Sequence, residues 1–158
     1  MNGSDGLFRR ELELWCVGLG GARQVVGFAF GMARGELLDE ALTGSVIGAF
    51  YEVYNTLGFG FLEQIYVLAL ERELLARGHT VAREVSVRVH YKGELVGLHR
   101  LDMLVDGRLV VETKSTLALH SSAARQLFNY LRATELKVGL LLHFGPKPFI
   151  HRQINHRS

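Results

Sequence analysis

From residue 37 onward, apolar residues recur at helical spacing, which predicts two helices before any strand begins. The first helix carries the periodic apolar set Val46, Ile47, Phe50, Val53, Tyr54 and Leu57. Thr43 is its expected N-cap, and Gly58-Phe59-Gly60 ends it. The second helix is predicted from about Phe61 to Arg77, because Gly78 stops it.

After the second helix the spacing changes to the alternation of apolar and polar residues that is typical of strands. Turn signals at Lys92-Gly93 and Asp106-Gly107 divide this stretch into three predicted strands, 81–91, 94–105 and 108–114. A third helix is predicted from Ser121 or Ser122, either able to cap it, to Leu131. A buried strand over 137–144 and a short strand over 149–154 complete the pattern.

The resulting order, α-α-β-β-β-α-β(-β), predicts an α/β (α+β) domain. A chain of 158 residues suits one domain of ordinary size. We therefore expect a single domain over residues 37–154, followed by a tail over 155–158.

Residues 1–36 follow a different pattern, with frequent glycines and apolar residues that have no clear period. The uncharged stretch from Gln24 to Ala33 is too short to span a bilayer. Residues 1–36 are therefore interpreted as an extension, disordered or non-native, that could lie upstream of a start at Met32. A packed accessory segment and a targeting or membrane segment are the alternatives.

Charge and cysteine content narrow the function only a little. A formal charge of +2 and a sequence pI near 8.9 are compatible with a nucleic-acid partner without requiring one. A single cysteine, Cys16, excludes an internal disulfide and fits a reducing compartment, so a cytoplasmic location without a membrane partner is expected.

Three charged residues stand in the predicted hairpin around Asp106-Gly107, where strands rarely carry them: Asp102, Glu112 and Lys114. A two-residue loop would send Asp102 and Glu112 to opposite faces of the hairpin. A three-residue loop pairs Val105 with Leu109, and then Asp102 lies opposite Glu112 with Lys114 on the same face. We predict the three-residue register or an equivalent bulge.

In that register the two carboxylates lie within about 5 Å of each other and repel unless a cation joins them. Hard oxygen ligands suit Mg²⁺ or Mn²⁺, and a neighbouring lysine can orient a water or stabilise a charged transition state. The simpler alternative is a solvent-exposed hairpin face with a cross-strand ion pair between Asp102 and Lys114.

Two further groups of residues have the right chemistry and also simple structural explanations. Gln126 and Tyr130 share one face of the third helix, where they could bind water or phosphate or merely border its apolar stripe. Glu63 and Tyr66 share a face in the second helix, although an acid in a first turn is also favoured by the helix dipole.

Together these residues resemble known families. Gly60, Glu63 and Tyr66 match the signature of the GxxExxY protein family, and Asp102, Glu112 and Lys114 match the core motif of the PD-(D/E)XK nucleases. Gln126 and Tyr130 resemble the QxxxY motif of the RecB-like branch. The chain departs from the usual family pattern at Tyr54, Phe59 and Ala123.

The resemblance implies a central mixed sheet flanked by helices and a nuclease that uses Mg²⁺ or Mn²⁺, with DNA as the expected substrate. It implies that Asp102, Glu112 and Glu63 are metal ligands, that Lys114 is catalytic, and that Gln126 assists catalysis. Arg100, Tyr130 and Gln126 are expected to contact substrate, although Arg100 could equally be a solvated edge charge. A non-catalytic binding module on the same fold is the alternative function, and a hydrolase of another substrate is a third.

Overall fold

A computed structural model of the protein describes residues 14–17, 23–26 and 39–156. The elements are β1 (Leu14–Val17), β2 (Arg23–Val26), α1 (Glu40–Leu57), α2 (Glu63–Ala76), β3 (Val81–Tyr91), β4 (Glu94–Val105), β5 (Leu109–Lys114), α3 (Ser122–Thr134), β6 (Val138–Phe144) and β7 (Pro148–Ile154). The predicted order is confirmed from α1 onward, including the optional last strand.

One seven-stranded sheet holds these elements together, in the order β2-β1-β3-β4-β5-β6-β7. β5 and β6 are parallel, and every other neighbouring pair is antiparallel. Parallel neighbours need a long connection, and α3 supplies it between β5 and β6. The sheet is therefore mixed, and β5 is one of its central strands.

Helices cover both faces of the sheet, so the central strands are buried on each side. α1 and α2 pack on one face in a cluster that includes Phe50, Tyr66, Val111 and Phe144. α3 packs on the other face with Val85, Val110, Leu127 and Leu141. Residues of β5 alternate between the two clusters, as the two-residue period of a strand requires. A charge on this strand can therefore be buried.

The hairpin turns fix the strand registers. Lys92 and Gly93 both have positive φ, at 51° and 90°, and this two-residue turn pairs Tyr91 with Glu94. At the second hairpin Val105 pairs with Leu109, so the three-residue register is confirmed. Asp106 and Gly107 there have φ of 50° and 67°. A non-glycine residue in this region needs support, and the backbone N–H of Thr80 supplies it by donating to Asp106 Oδ1 at 2.8 Å.

One predicted helix cap is wrong. Thr43 does not cap α1, because the helix begins at Glu40 and the Thr43 N–H bonds the carbonyl of Asp39. Ser121 is the N-cap residue of α3, one of the two predicted positions, although its side chain makes no capping hydrogen bond. Asn155, the first residue of the predicted tail, is 3% exposed, and its N–H donates to the Lys137 carbonyl at 2.8 Å.

The predicted extension, residues 1–36, lies mostly outside the described residues. Within it the structure describes the strands β1 and β2, which pair with each other, and Trp15 of β1 stands opposite Ser86 of β3. The interpretation of residues 1–36 as a disordered or non-native extension therefore stays a prediction. Across the described ranges, no helix is both long enough and apolar enough to cross a membrane.

Candidate active site

Glu112 is a buried carboxylate in a central strand, with only 3% of its surface exposed. Its Oε1 accepts a hydrogen bond from Lys114 Nζ at 2.8 Å. Its Oε2 is also buried and has no hydrogen-bond partner among the described residues. Burial, with repulsion from Asp102 and Glu63, raises the pKa of Glu112 to about 7, although Lys114 opposes the shift. The site therefore holds an incompletely neutralised carboxylate.

Asp102 lies where the pairing of β4 with β5 stops. The last pair toward it is Met103 with Val111, so the Thr113 amide has no ladder partner from β4 there. Asp102 Oδ2 accepts hydrogen bonds from the Thr113 N–H at 2.7 Å and from Thr113 Oγ1 at 2.8 Å. The carboxylate is thus held at the end of the hairpin, and its charge reaches Glu112, whose pKa it raises.

Glu63 brings a third carboxylate from the first residue of α2. Its Oε2 accepts the Ser115 N–H at 3.2 Å, just beyond the end of β5, and its Oε1 lies 3.8 Å from Lys114 Nζ. Ser115 Oγ also donates to the Phe61 carbonyl at 2.8 Å, which ties the start of α2 to the same loop. These contacts place Glu63 beside the strand-borne charges.

Tyr66 explains how the turn before Glu63 is fixed. Its hydroxyl donates to the Gly58 carbonyl at 2.8 Å and accepts the Phe61 N–H at 3.2 Å. Its fully buried ring stacks on Phe144, with centroids 4.3 Å apart. Gly58 and Gly60 both have positive φ within this turn, at 70° and 118°. The tyrosine of the motif therefore positions the acid and does not itself reach the charges.

Replacing Tyr66 with phenylalanine is expected to lower the free energy of unfolding by about 1–3 kcal/mol, because two backbone groups lose their hydroxyl partner while the ring stack remains. Urea denaturation measures the change. Tyr51→Phe, at an exposed position of α1, is the control and should change it by less than about 0.5 kcal/mol. Equal stabilities of the two variants would contradict the positioning role.

Lys114 stands at the centre of the cluster. Its ammonium donates to Glu112 Oε1 at 2.8 Å and to the Thr113 carbonyl at 2.7 Å. Burial acts to lower its pKa, but the charges of Glu112, Asp102 and Glu63 outweigh burial and hold the pKa above its usual value. At neutral pH the side chain is therefore a cation and a hydrogen-bond donor.

α3, which packs on the sheet face opposite α2, contributes Gln126 and Tyr130. The Gln126 amide donates to the Tyr130 hydroxyl, as their four-residue spacing allows. Tyr130 is buried, and His99 of β4 contacts its ring edge-on at 5.0 Å between centroids. Burial and the negative charges of Glu112 and Asp102 raise the pKa of the Tyr130 hydroxyl.

Arg100 is not brought into the cluster. Its side chain is 68% exposed, and its Nη1 lies 3.8 Å from Glu84 Oε2. In the part of the chain that the structure describes, no ion pair joins Arg100 to Asp102, Glu112 or Glu63. The position therefore matches the solvated edge charge that the sequence left open.

Sequence reasoning missed the groups that hold the acids in place. Thr113 was overlooked because alternation assigns it to the face opposite Glu112, and Ser115 because it lies beyond the end of β5. Their backbone amides do not obey that rule, and they bond Asp102 and Glu63. His143 was also missed: it is buried opposite Lys114 on β6, and its Nε2 lies 2.9 Å from the Thr116 carbonyl. No local signal in the sequence marks that pairing.

The donor set suits a divalent cation chemically. Three carboxylates that repel one another, with one buried oxygen left unpartnered, are the conditions that Mg²⁺ or Mn²⁺ relieves. As the side chains stand, however, Asp102 bonds Thr113 and Glu112 bonds Lys114. Accordingly, no three His, Cys, Asp or Glu side chains of residues 39–156 converge closely enough to ligate an ion. Binding would require these carboxylates to exchange partners.

Comparison with known protein families identifies the superfamily of the chain. A family model described as the PD-(D/E)XK nuclease superfamily matches residues 40–156, nearly all of the domain built from α1 to β7. The chain belongs to the PD-(D/E)XK nuclease superfamily. The match includes Glu63, Asp102, Glu112 and Lys114. A mixed sheet with helices on both faces is the fold of this PD-(D/E)XK protein, as predicted.

Other comparisons add less. No curated protein matches the chain. A solved structure titled "Crystal structure of SSO0001" is similar over 76% of this PD-(D/E)XK chain, with 18% identity and a TM-score of 0.46. The match covers 61% of that protein's own length. Membership in the superfamily indicates a nuclease-like function, and nucleases of this superfamily typically use divalent metals.

Proposed function

We propose that the protein is a metal-dependent nuclease that hydrolyses phosphodiester bonds in DNA. The observation that carries the proposal is the buried Glu112, whose second oxygen lacks a partner although Asp102 and Glu63 add negative charge beside it. A carboxylate in such surroundings costs stability unless a cation completes the site. Evolution of a purely structural strand would favour an apolar residue here, because both faces of β5 are buried.

Asp102, Glu112 and Glu63 would hold Mg²⁺ or Mn²⁺ between β4, β5 and the start of α2. A divalent ion bound to these oxygens would polarise the phosphate and lower the pKa of a bound water. Thr113 and Ser115 support this arrangement, since their N–H groups already orient Asp102 and Glu63.

Lys114 would act on the phosphate as a fixed cation. Its ammonium is part-buried and held in a defined position by Glu112 and the Thr113 carbonyl. A preorganised donor aimed at developing negative charge stabilises the transition state without reorganisation cost. The proximity of three carboxylates favours the charged form of Lys114, so it would serve as a donor rather than as a base.

Gln126 and Tyr130 would contribute from α3, as accessory and substrate contacts. Their mutual hydrogen bond fixes the Gln126 amide on Tyr130, whose pKa the charges of Glu112 and Asp102 raise, and from there the amide would orient the attacking water. Arg100 would have a weaker role, because its exposed side chain reaches a phosphate only by leaving Glu84.

The protein is also proposed to belong to the GxxExxY group, on Gly60, Glu63 and Tyr66, and to the RecB-like branch, on Gln126 and Tyr130. We further propose that it acts in the cytoplasm.

A cleavage screen tests the proposal. Purified protein is incubated with linear duplex, nicked duplex and single-stranded DNA and with RNA, each with Mn²⁺, Mg²⁺ or EDTA. We expect a DNA substrate to be cut with metal and to remain intact with EDTA. RNA cut in preference to DNA would correct the substrate class.

The alternative, a non-catalytic binding module, is favoured by one observation: both strand carboxylates are already satisfied in part by Lys114 and Thr113. The same screen separates the two functions. Retention of nucleic acid on a gel without any cleavage, in either metal, would replace the nuclease by the binding module.

A further inference from the structure

A serine, a histidine and an aspartate meet at the opposite end of β5 from Lys114. Ser45 Oγ of α1 lies 2.7 Å from His79 Nε2, and His79 Nδ1 lies 2.8 Å from Asp106 Oδ2. The three residues come from α1, the loop before β3, and the turn between β4 and β5. This is the connectivity of a nucleophile, a general base and an orienting acid.

The hydrogen bonds assign the proton positions. Asp106 Oδ1 accepts the Thr80 N–H at 2.8 Å and Thr80 Oγ1 at 3.2 Å. Burial acts to raise the pKa of Asp106, but the bonds from His79 and Thr80 outweigh it and lower that pKa. The ionised Asp106 accepts only, so His79 Nδ1 carries a proton, and in the neutral imidazole Nε2 is then the acceptor. The Ser45 hydroxyl therefore donates to Nε2, as an activated serine does.

We propose that Ser45, His79 and Asp106 form a second reactive site, in which Ser45 takes the acyl group of a small activated carboxylic ester. The proposal is independent of the carboxylate cluster, because it uses none of its residues. It depends on the geometry of three side chains that are 34 and 27 positions apart in the sequence.

The surroundings of Ser45 leave room for such a ligand. Ser45 is half-buried, and a Cβ built on the neighbouring Gly44 meets nothing within 4 Å. Arg77 reaches the same helix surface: its Nε pairs with Glu73 Oε1 at 2.9 Å, and its Nη1 donates to the Ser45 carbonyl at 3.5 Å. A Cβ at Gly48 would stand 2.9 Å from that Nη1, so the glycine makes the approach possible. The Arg77 guanidinium is the group that would stabilise an oxyanion at Ser45.

The reaction conserves atoms and charge. Ser45 Oγ attacks the ester carbonyl as its proton passes to His79 Nε2, and the carbonyl oxygen becomes an oxyanion. The tetrahedral adduct then expels the alkoxide, which leaves as the alcohol with the proton from His79. Water attacks the acyl-serine by the same route and releases a carboxylic acid. One ester and one water give one alcohol and one acid.

The chain contains a matched internal control. Ser122 Oγ lies 2.7 Å from His120 Nδ1, the same distance as in the Ser45–His79 pair. Among the described residues no carboxylate bonds the ring of His120, so this pair lacks the orienting acid. Comparing the two serines in one protein isolates the contribution of Asp106.

The test treats the full chain with a dialkyl fluorophosphate, which traps activated serines, and maps the modified peptides over time. The orienting acid of a serine triad contributes up to about 10⁴-fold, so Ser45 should be labelled at least about 100-fold faster than Ser122. His79→Gln and Asp106→Asn should remove most of that difference. p-Nitrophenyl acetate hydrolysis should be lost in Ser45→Ala and unchanged in Tyr51→Phe, at an exposed position of α1.

Two results would overturn the proposal: equal labelling of Ser45 and Ser122, or full ester hydrolysis by Ser45→Ala. Because His79 and Asp106 also support the fold, circular dichroism must first show that each variant is folded. Ser45→Cys provides the second readout: its alkylation by iodoacetamide should be faster with His79 present than in the double variant with His79→Gln. If His79 makes no difference to that rate, Ser45 is a structural serine.

Discussion

Asp102→Asn is expected to abolish both metal binding and cleavage, whereas Lys114→Gln should abolish cleavage and leave metal binding intact. In each variant the rate of DNA cleavage should fall by about 1,000-fold or more, the scale on which preorganised charges act in active sites. The two variants should therefore differ in metal binding, which a calorimetric titration measures.

The reason lies in what each side chain contacts. Asparagine at position 102 keeps an oxygen for the Thr113 N–H, so the hairpin end retains its hydrogen bond while the anionic ligand is lost. Glutamine at position 114 removes the cation and leaves all three carboxylates in place. Metal binding should therefore survive in Lys114→Gln, because the ion no longer competes with an ammonium for Glu112.

Glu52→Gln is the control for the first prediction. Glu52 is an exposed acid on α1, and its removal changes the net charge by the same amount as Asp102→Asn. We expect its cleavage rate to stay within about twofold of the wild-type rate, since surface changes have small effects. Loss of cleavage in Glu52→Gln, or normal cleavage in Lys114→Gln, would contradict the assigned roles.

Glu112→Gln is expected to make the metal-free protein more stable than wild type at pH 8. The pKa of Glu112 is raised in the folded protein from 4.5 to about 7. Because the pKa of Glu112 is higher in the folded than in the unfolded protein, protonated Glu112 stabilises the fold fully at pH values below the unfolded-state pKa. That stabilisation is lost as the pH rises through the folded-state pKa. The free energy of unfolding of metal-free wild type should therefore fall by up to about 3 kcal/mol between pH 4.5 and pH 7, whereas that of Glu112→Gln should not.

Urea denaturation at several pH values, in EDTA, measures this difference. Glu63→Gln is the matched control: it makes the same chemical change in the same cluster, but the Glu63 side chain is 41% exposed. Its pH dependence should stay close to that of wild type, because Glu63 is the smallest of the causes that raise the pKa of Glu112. Adding Mn²⁺ at pH 8 should restore the stability of wild type and leave the stability of Glu112→Gln unchanged, because an ion stabilises the fold only where it binds. A wild-type free energy of unfolding that does not change from pH 5 to pH 8 would contradict the raised pKa of the buried Glu112.

Much of the fold follows from sequence because its local signals agree. The turns at Lys92-Gly93 and Asp106-Gly107 set the ends of β3, β4 and β5, and the predicted pairing of Val105 with Leu109 is confirmed. Helix capping was harder to predict: the Thr43 N–H bonds the Asp39 carbonyl inside α1, and Ser121 stands at the N-cap of α3 without a capping side-chain bond.

For the candidate site, the sequence predicted the charged side chains but not the backbone groups that bind them. Alternation identified Glu112 and Lys114, but it gave no information about the backbone amides of Thr113 and Ser115. It also gave no reason to connect Ser45, His79 and Asp106, which meet only through the tertiary fold. Arg100 matched a family pattern, yet its surroundings are those of a surface charge.

Glu112, Asp102 and Glu63 are proposed to form a divalent-metal site. Isothermal titration of Mn²⁺ into the wild-type protein at pH 8 tests it most directly, with Asp102→Asn as the comparison. We predict saturable binding of Mn²⁺ to wild type and none to Asp102→Asn. Absence of binding to a folded wild-type protein, or equal binding to both proteins, would contradict the claim.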